Sequence, residues 1–540
     1  MLSALRRALD LLSVRHGRIV TMQTVPKEDP ATYKMMHTAD TIGVFQIESR
    51  AQMSMLPRMK PVRFYDLVIE VAIVRPGPIQ GGMVHPYLQR RTGAQKIDYP
   101  HGLEKALGRT LGVPIFQEQV MQVAMIAAGF TPGEADELRR SMAAWKRKGG
   151  VDKYKGRIIS GMLMRGYTEE FAEQICKQIQ GFGEYGFPES HAASFALLTY
   201  LSSWIKCHEP AAFLCALLNS QPMGFYSPSQ LIQDARRHGV EVREVDINIS
   251  GWDSALEEIE DALPLHSVSA QAAPGLCIKE DAPGYIAPDY FTAAYAPGGW
   301  HAQRRQPAVR LGMSLLRGMR PDAAARIEDA RRERPFASVA DLARRADLDR
   351  HDLQVLAGAN ALRSLAGNRR QALWEAIGAV PDKDLLRPTQ PEEELPQLKP
   401  PSEGDEIVSD YRAQGLTLGR HPLALLRTQL LKQRFMPAEV LNTFSNGQLA
   451  RGAGIVTVRQ RPGTAKGVLF ITIEDETGYV NVIIWPSLVE KFRREVLSAP
   501  LLGVYGIWQE EAGVRHLVAK RLVDLSHMIA RLPTTSRDFC

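Results

Sequence analysis

Cysteine is scarce in this 540-residue chain. The five cysteines (Cys176, Cys207, Cys215, Cys277 and Cys540) are scattered, and no C-x-x-C pair occurs. That spacing argues against zinc and against a disulfide framework, and it fits a reducing cytoplasm. Long apolar runs are missing too. No stretch of about 18 apolar residues is present, so no segment reads as membrane-spanning. The opening MLSALRRALDLLSVRHGR has neither the apolar core nor the small-residue cleavage site of a secretion signal. A strong overall charge is lacking as well: 66 Lys and Arg face 60 Asp and Glu, for a net +6. The excess mildly favours a polyanionic partner, and its distribution matters more than its size. The chain is too long for one core, so about three or four domains are expected.

Composition divides the chain. Residues 1–250 read mostly as helices broken by Gly/Pro turns such as RPGPIQGG. Residues 251–309 contain an Ala/Pro/Gly-rich stretch with little periodicity, expected to be an irregular insertion or linker. Residues 310–380 return to short helices. Residues 381–447 begin as an acidic, Pro-rich connector: 381–410 hold six prolines and nine acids against three bases. Residues 448–530 change to period two, with five short strands bounded by turn residues. One helix, SLVEKFRREVL, lies between the third and fourth strands. The expected fold is therefore multidomain, mainly α and then a C-terminal β-barrel of the OB type, often used on nucleic acid.

The charge is concentrated. Between Arg139 and Arg165 stand nine basic residues and one acid, Asp152, a local charge of +8. A solvated helix face is the plain explanation of such a run. Against it, acids that would make i,i+4 partners are nearly absent within the stretch, so the like charges repel unless an anion neutralises them. Trp145, Tyr154, Ile158, Ile159 and Met162 interleave, so one face can pack while the other presents charge. Arginine forks and lysine point charges suit triphosphates or a DNA backbone.

A second patch, residues 304–370, holds fifteen arginines, no lysine and eight acids. Within it LLRGMRPDAAARIEDA resembles a helix-hairpin-helix, whose glycine turn aims backbone N–H groups at a phosphate without reading sequence. LAGANALRSLAGNRRQALWEA reads as a degenerate second copy. A plain helical hairpin is the alternative.

Four longer stretches carry a more specific resemblance: ADTIGVFQIESRAQMSML, VAIVRPGPIQGGMVHPYLQRR, PIFQEQVMQVAMIAAGFTPGEADELRRSM and GFGEYGFPESHAASFALLTYLSSWIK. In that order they resemble the fingers of bacterial C-family DNA polymerases, the polymerase III alpha type. The resemblance covers nearly the whole chain: fingers in 1–250, tandem helix-hairpin-helix in 310–380, OB-fold in 448–530. LLNSQPMGFYSPSQLIQDARRHGVEV, the GFPESHA variant and the terminal SRDF resemble the error-prone, damage-inducible (ImuC-type) branch more than the replicative one. A clear glutamine-led clamp-binding box is missing; QPEEELPQL is a poor version.

The resemblance implies roles for particular residues. Phosphoryl transfer needs carboxylate-held metals and cations that neutralise developing charge. The fingers would supply cations to the incoming triphosphate, with Arg75, Arg139, Arg140, Lys146 and Lys148 as candidates. Gln46, Ser49, Arg50, Gln117 and Gln119 would line the same cleft. Each has a plain alternative: Arg75 as a turn cap, Gln117 as a partner of buried backbone. His191 reads as loop-fixing rather than as a base, and His208, beside Cys207, has no metal-ligand spacing. Gly318, Arg320, Arg369, Arg370, Arg459, Arg461, Lys466 and Trp485 are the DNA-binding candidates. Trp508 could stack as Trp485 could, with core packing expected of at least one of the two.

The family's palm carries an Asp-x-Asp pair and a third aspartate. Those magnesium ligands are expected to lie outside this chain, with Asp10 and Asp475 as the isolated candidates inside it. The implied partners are primer–template DNA, deoxynucleoside triphosphates, ImuB-like and ImuA-like proteins and, through them, a sliding clamp; no membrane is implied. Two other readings stay open, a free-standing non-catalytic DNA-binding or polymerase-accessory module and a piece of a replicative alpha subunit.

Overall fold

The structure is a computed structural model that describes residues 1–75, 82–97, 99, 102–143, 152–181, 188–258, 306–379, 396–462, 465, 467–511, 514–529, 532–533 and 536–539. The N-terminal region is helical. Its first helix, Leu2–His16, buries Ala4, Leu5, Ala8 and Leu12 as one stripe and stops at Gly17, whose φ of 62° only glycine adopts without cost. That stripe packs on Pro210–Leu218, a helix in which every residue is buried. The 20-residue helix Glu189–His208 runs through the region and packs on Phe64–Ile73.

Local chemistry sets the helix starts. Asp29 accepts from the N–H groups of Ala31 and Thr32, with Pro30 at the first helical position of Pro30–His37. Ser49 with Gln52, and Ser227 with Gln230, form reciprocal capping boxes for Arg50–Met59 and Pro228–Arg237. Each such cap is worth about 1 kcal/mol.

The stretch expected to be irregular begins and ends in order. Strands β1 (Val242–Arg243), β2 (Ala255–Glu257) and β3 (Ala308–Arg310) form a small sheet in the order β1-β3-β2. Residues 259–305 lie outside the described residues. Five helices follow: Pro321–Glu333, Val339–Arg345, Arg350–Gly358, Arg363–Ala366 and Arg369–Gly378. Arg350–Gly358 packs on Arg369–Gly378. The 380–395 part of the acidic connector also lies outside the described residues.

The C-terminal region is a barrel. Strands β4 (Leu449–Gln460), β5 (Leu469–Glu474), β6 (Tyr479–Ile484), β7 (Leu501–Glu511) and β8 (Val514–Asp524) pair β5-β6-β8-β7-β4, and β4–β5 pairing closes the ring. The long β4 serves both neighbours, β7 with its first half and β5 with its second. Gly506 is required where β7 bends: a Cβ there would sit 2.3 Å from the Val518 carbonyl oxygen. The helices Pro486–Lys491 and Arg493–Ser498 connect β6 to β7. A sixth strand, β9 (Arg537–Phe539), runs parallel to the end of β4; the period-two reading did not include it. One core fills the barrel, with Trp508 buried among Val482, Ile484, Val504 and Leu517. A smaller cluster around Leu430 and Phe435 lies beneath the helix Pro422–Lys432.

Candidate functional site

Three of the candidate nucleotide contacts share one cavity. Gln46, Ser49 and Arg75 line a space of about 440 Å³ together with Phe45, Glu48 and Phe225. That volume lies within the range of small-molecule sites. Arg75 Nη2 donates to Gln46 Oε1 across 2.8 Å, and its Nε donates to the Val71 carbonyl. Gln46 has φ 60°, a left-handed conformation that costs a non-glycine residue about 1–3 kcal/mol. The Arg75 bond helps hold it there. Ser49 caps the next helix while facing the cavity.

Sequence reasoning passed over two parts of this wall. Glu48 contributes a carboxylate. Met223, Gly224 and Phe225 also line the cavity, and Tyr226 beside them donates its hydroxyl to the Glu48 carbonyl at 2.9 Å. The aromatic pair beside Gly224 was the available signal.

Other candidates have different surroundings. Arg50 turns away from the cavity and donates to Thr472 on β5. Gln117 opens the helix Gln117–Ala128 and is half-buried. Gln119 is buried. Its oxygen accepts from the N–H groups of Ile115 and Phe116, and its amide donates to Ala106 and Thr110, so the side chain is spent on the helix start. Lys146 and Lys148 lie outside the described residues.

Arg139 and Arg140 stand on the helix Pro132–Ala143, and neither lines the cavity. The basic stretch is less isolated than its own composition implies. Arg139 and Arg140 both pair with Asp136 at 2.8 Å, Arg157 pairs with Glu134 at 2.6 Å, and Tyr154 donates to Glu137. The partners come from GEADE, the start of the same helix just before the stretch. Counting acids only inside 139–165 missed them.

In the second basic patch, Gly318 has φ 88° at a tight turn, and its carbonyl lies 3.1 Å from His351 Nε2. Arg320 is committed to Asp352 and Asp349. Arg369 is buried, with Asp410 and Glu406 as its partners, and ties its helix to Glu403–Gln414. Arg370 is exposed and bonds the Lys399 carbonyl.

On the barrel, Arg459 is buried. It donates to the carbonyls of Val496 and Ala499 and to Ser536, closing the C-terminal end of the helix Arg493–Ser498. Arg461 is exposed, Lys466 lies outside the described residues, and Trp485 is 53% exposed. Trp508 is 1% exposed and belongs to the core.

Two donor clusters among the described residues have metal-like composition: Asp29, Cys207 and His208, and Asp40, Asp234 and His238. Neither fits a magnesium-binding catalytic centre. In the first, the Asp29 carboxylate caps a helix and pairs with His208; burial alone would lower the imidazole, but the bonds to Asp29 and Cys207 carry it up to about 9. In the second, the Lys206 ammonium already lies between the two carboxylates. Asp10 is exposed beside Arg6. The Asp475 carboxylate takes Arg427, Ala438, Gly478 and both the N–H and hydroxyl of Thr477. Two Asp-x-Asp triplets do occur in the sequence. In the first, Asp349 caps a helix and pairs with Arg320 while Asp347 sits in a turn. The second, Asp382 and Asp384, lies outside the described residues.

Comparison with known proteins follows the same division. Residues 1–166 match the bacterial DNA polymerase III alpha subunit finger domain, 239–372 a helix-hairpin-helix motif, and 453–525 an OB-fold nucleic acid binding domain. The helix-hairpin-helix match starts before residue 310 and so takes in the small β1-β3-β2 sheet. The chain is 59% identical, over 98% of its length, to the error-prone DNA polymerase of Bordetella bronchiseptica, and covers 47% of that protein. Identity is 56% to the Burkholderia pseudomallei protein of the same name and 54% to that of Methylococcus capsulatus, over the whole chain and 48% and 49% of those proteins. The chain thus spans about half the length of these relatives, and over nearly all of its own length it is similar to proteins named error-prone DNA polymerase, with its first 166 residues matching the polymerase III alpha finger domain.

Proposed function

We propose that this chain is the nucleotide- and DNA-binding portion of an error-prone polymerase that adds deoxynucleotides opposite damaged template. The similarity to proteins of that name carries the reading, and the arrangement of cations supports it. Arg75 at the cavity and the arginines of the Pro132–Ala143 helix would receive the triphosphate. The helix-hairpin-helix and barrel would follow the DNA backbone, with Arg461, Arg370 and Trp485 as the exposed candidates. Magnesium, when bound, would supply charge neutralisation and hydroxyl activation, with ligands outside this chain. The clamp would be reached through ImuB-like and ImuA-like partners, in the cytoplasm. No helix among the described residues is long and apolar enough to cross a membrane.

The test is binding by fluorescence anisotropy, using unrelated oligonucleotides over a range of salt. Phosphate contacts release counterions, so affinity should fall steeply with salt and vary little with sequence. A flat salt response or a strong sequence preference would contradict the reading. A pull-down against purified clamp and ImuB-like protein tests the partners: direct clamp binding with none to the ImuB-like protein would count against that part.

A further inference from the structure

A tyrosine on the barrel holds two arginines side by side. Arg451 on β4, Tyr505 on β7 and Arg521 on β8 stand opposite one another in register, so three strands carry one row. Both guanidinium groups lie over the Tyr505 ring, at 4.9 Å for Arg451 and 5.5 Å for Arg521. Such contacts fix where a long cationic side chain points. The ring is itself held: the fully buried Phe435 meets it edge-on at 5.3 Å. The row faces outward. Its strand neighbours Ala450, Val504 and Leu522 belong to the barrel core, and alternation sends Arg451, Tyr505 and Arg521 to the other side.

More positive charge gathers around this row. The β7–β8 register slips between Tyr505 and Gly506, so Lys520 has no opposite residue and stands exposed beside Arg521. The helix Pro422–Lys432 ends on the exposed Lys432, and Arg434 follows, exposed as well. Met436, just beyond, donates its N–H to the Arg451 carbonyl at 2.9 Å, which brings that turn beside the row. None of these five cations makes a side-chain hydrogen bond or ion pair among the described residues. Other arginines of the region are committed. Arg459, further along β4, is buried on the Val496 and Ala499 carbonyls, and Arg427 holds Asp475 and Glu476. Strand β4 contains no acid. Glu510 pairs with Arg515 near the β7–β8 hairpin turn, and Asp524 accepts from the Ser526 N–H.

A surface of one sign without internal partners attracts a polyanion. Guanidinium forks match phosphate oxygens two at a time. An acidic peptide carries its carboxylates on separate flexible side chains, whereas a DNA strand brings phosphates at short, regular intervals along one line. The row offers cations in the same way, across three strands. Arg461 follows the other end of β4, about 30 Å along the strand, so the two cationic surfaces occupy different parts of the barrel.

We propose that the Arg451–Tyr505–Arg521 row, with Lys432, Arg434 and Lys520 at its rim, is a second DNA-strand contact on the barrel that grips backbone phosphates without reading bases. The surface stands on these side chains; that its polyanion is DNA rests on the polymerase reading.

The experiment is fluorescence anisotropy of labelled oligo-dT with the full chain over a range of salt. Arg451→Gln with Arg521→Gln removes two phosphate contacts. Its affinity at low salt should fall at least tenfold, and the slope of log affinity against log salt should flatten by about 1.4, the share of two single-strand phosphates. Tyr505→Leu keeps both charges and an apolar contact for Phe435. It should weaken binding a few-fold with the slope unchanged, because the arginines are no longer held. Arg6→Gln with Lys105→Gln removes the same charge from exposed positions on the helical region and should bind as wild type does. The slope counts contacts made by folded protein, so a lower melting point would not mimic its change. Equal losses in the control and in the Arg451/Arg521 variant would show an effect of net charge only and overturn the site. An Arg451/Arg521 variant with wild-type affinity and slope would overturn it too, while steep salt dependence in the wild type would still support DNA binding by the chain. No binding of oligo-dT by the wild type would overturn both. Labelled oligo-glutamate, titrated in parallel, should bind all four proteins weakly and alike; a loss confined to that probe would assign an acidic polypeptide and overturn the DNA assignment.

Discussion

Lys206 donates to Asp234 across 2.7 Å in the interior of the helical region, and the same ammonium lies 3.0 Å from Asp40. Lys206 is 1% exposed. His238 completes the cluster at 2.6 Å from Asp40. Burial alone would raise the Asp40 carboxyl, but His238 and Lys206 reverse this and hold it far below the ordinary range. The network joins three separate segments: the turn before Val44, the long helix Glu189–His208 and the helix Pro228–Arg237. Lys206→Met leaves two carboxylates facing each other without the lysine. It should cost about 3–5 kcal/mol, read as a drop in the urea midpoint. A loss below about 1 kcal/mol would show that the network is not holding these segments.

Glu70 makes the opposite case, a carboxyl with no partner. It is fully buried in Phe64–Ile73, and neither oxygen has a hydrogen bond among the described residues. Burial pushes it up to about 8, against a small opposing pull from Arg91. Below pH ~4.5 both folded and unfolded chains hold the proton. Between there and pH 8 the unfolded chain releases it while the folded chain keeps it. Stability therefore falls as pH rises through that window, by up to about 1.4 kcal/mol per pH unit. Glu70→Gln removes the dependence. The variant should match wild type near pH 5 and exceed it by ~3 kcal/mol near pH 8. Equal differences at both pH values would contradict a neutral Glu70.

Arg139 and Arg140 share the single acid Asp136, at 41% and 74% side-chain exposure. Exposed pairs of this kind contribute only about 0–1 kcal/mol to stability. Arg139→Ala with Arg140→Ala should therefore leave the unfolding midpoint nearly unchanged while, on the proposed function, weakening nucleotide binding at least tenfold. Asp136→Asn should act in the other direction, freeing both guanidinium groups and tightening nucleotide binding a few-fold. Nucleotide affinity unmoved by either change would remove these arginines from the site.

How legible such features were depended on where their partners lie. The barrel strands could be read because alternation is a property of adjacent residues: Val480, Val482 and Ile484 point inward whatever lies far away in sequence. β9 could not, since three residues pairing in parallel with β4 have no period to show. Arg459 looked like an outward arginine on a strand. The helix Arg493–Ser498 and Ser536 cover that face and use the guanidinium internally. Gln119 failed as a ligand candidate for a local reason: three residues after Phe116 it sits at the position that closes a helix start, a role visible in spacing alone. The Arg50–Thr472 contact was beyond sequence reading altogether, because the Arg50–Met59 helix meets β5 only through the fold.

The 540 residues alone are not expected to catalyse primer extension. Phosphoryl transfer is accelerated chiefly by metals that bridge the attacking hydroxyl and the phosphates, and those metals need carboxylates free to bind them. The described candidates are engaged elsewhere. Asp475 accepts five hydrogen bonds at a barrel turn, Asp349 caps a helix against Arg320, and Asp40 and Asp234 hold Lys206. Arg75 at the cavity would at most hold a triphosphate; a guanidinium cannot activate a primer hydroxyl as a carboxylate-bound metal does. The purified chain, given primed template, magnesium and nucleotides, should show no primer extension while still shifting the same DNA in a gel. Extension that survives stringent purification and disappears on substitution of Asp10, Asp382 or Asp384 would mean that this chain assembles its own metal site, and the division of labour proposed above would be wrong.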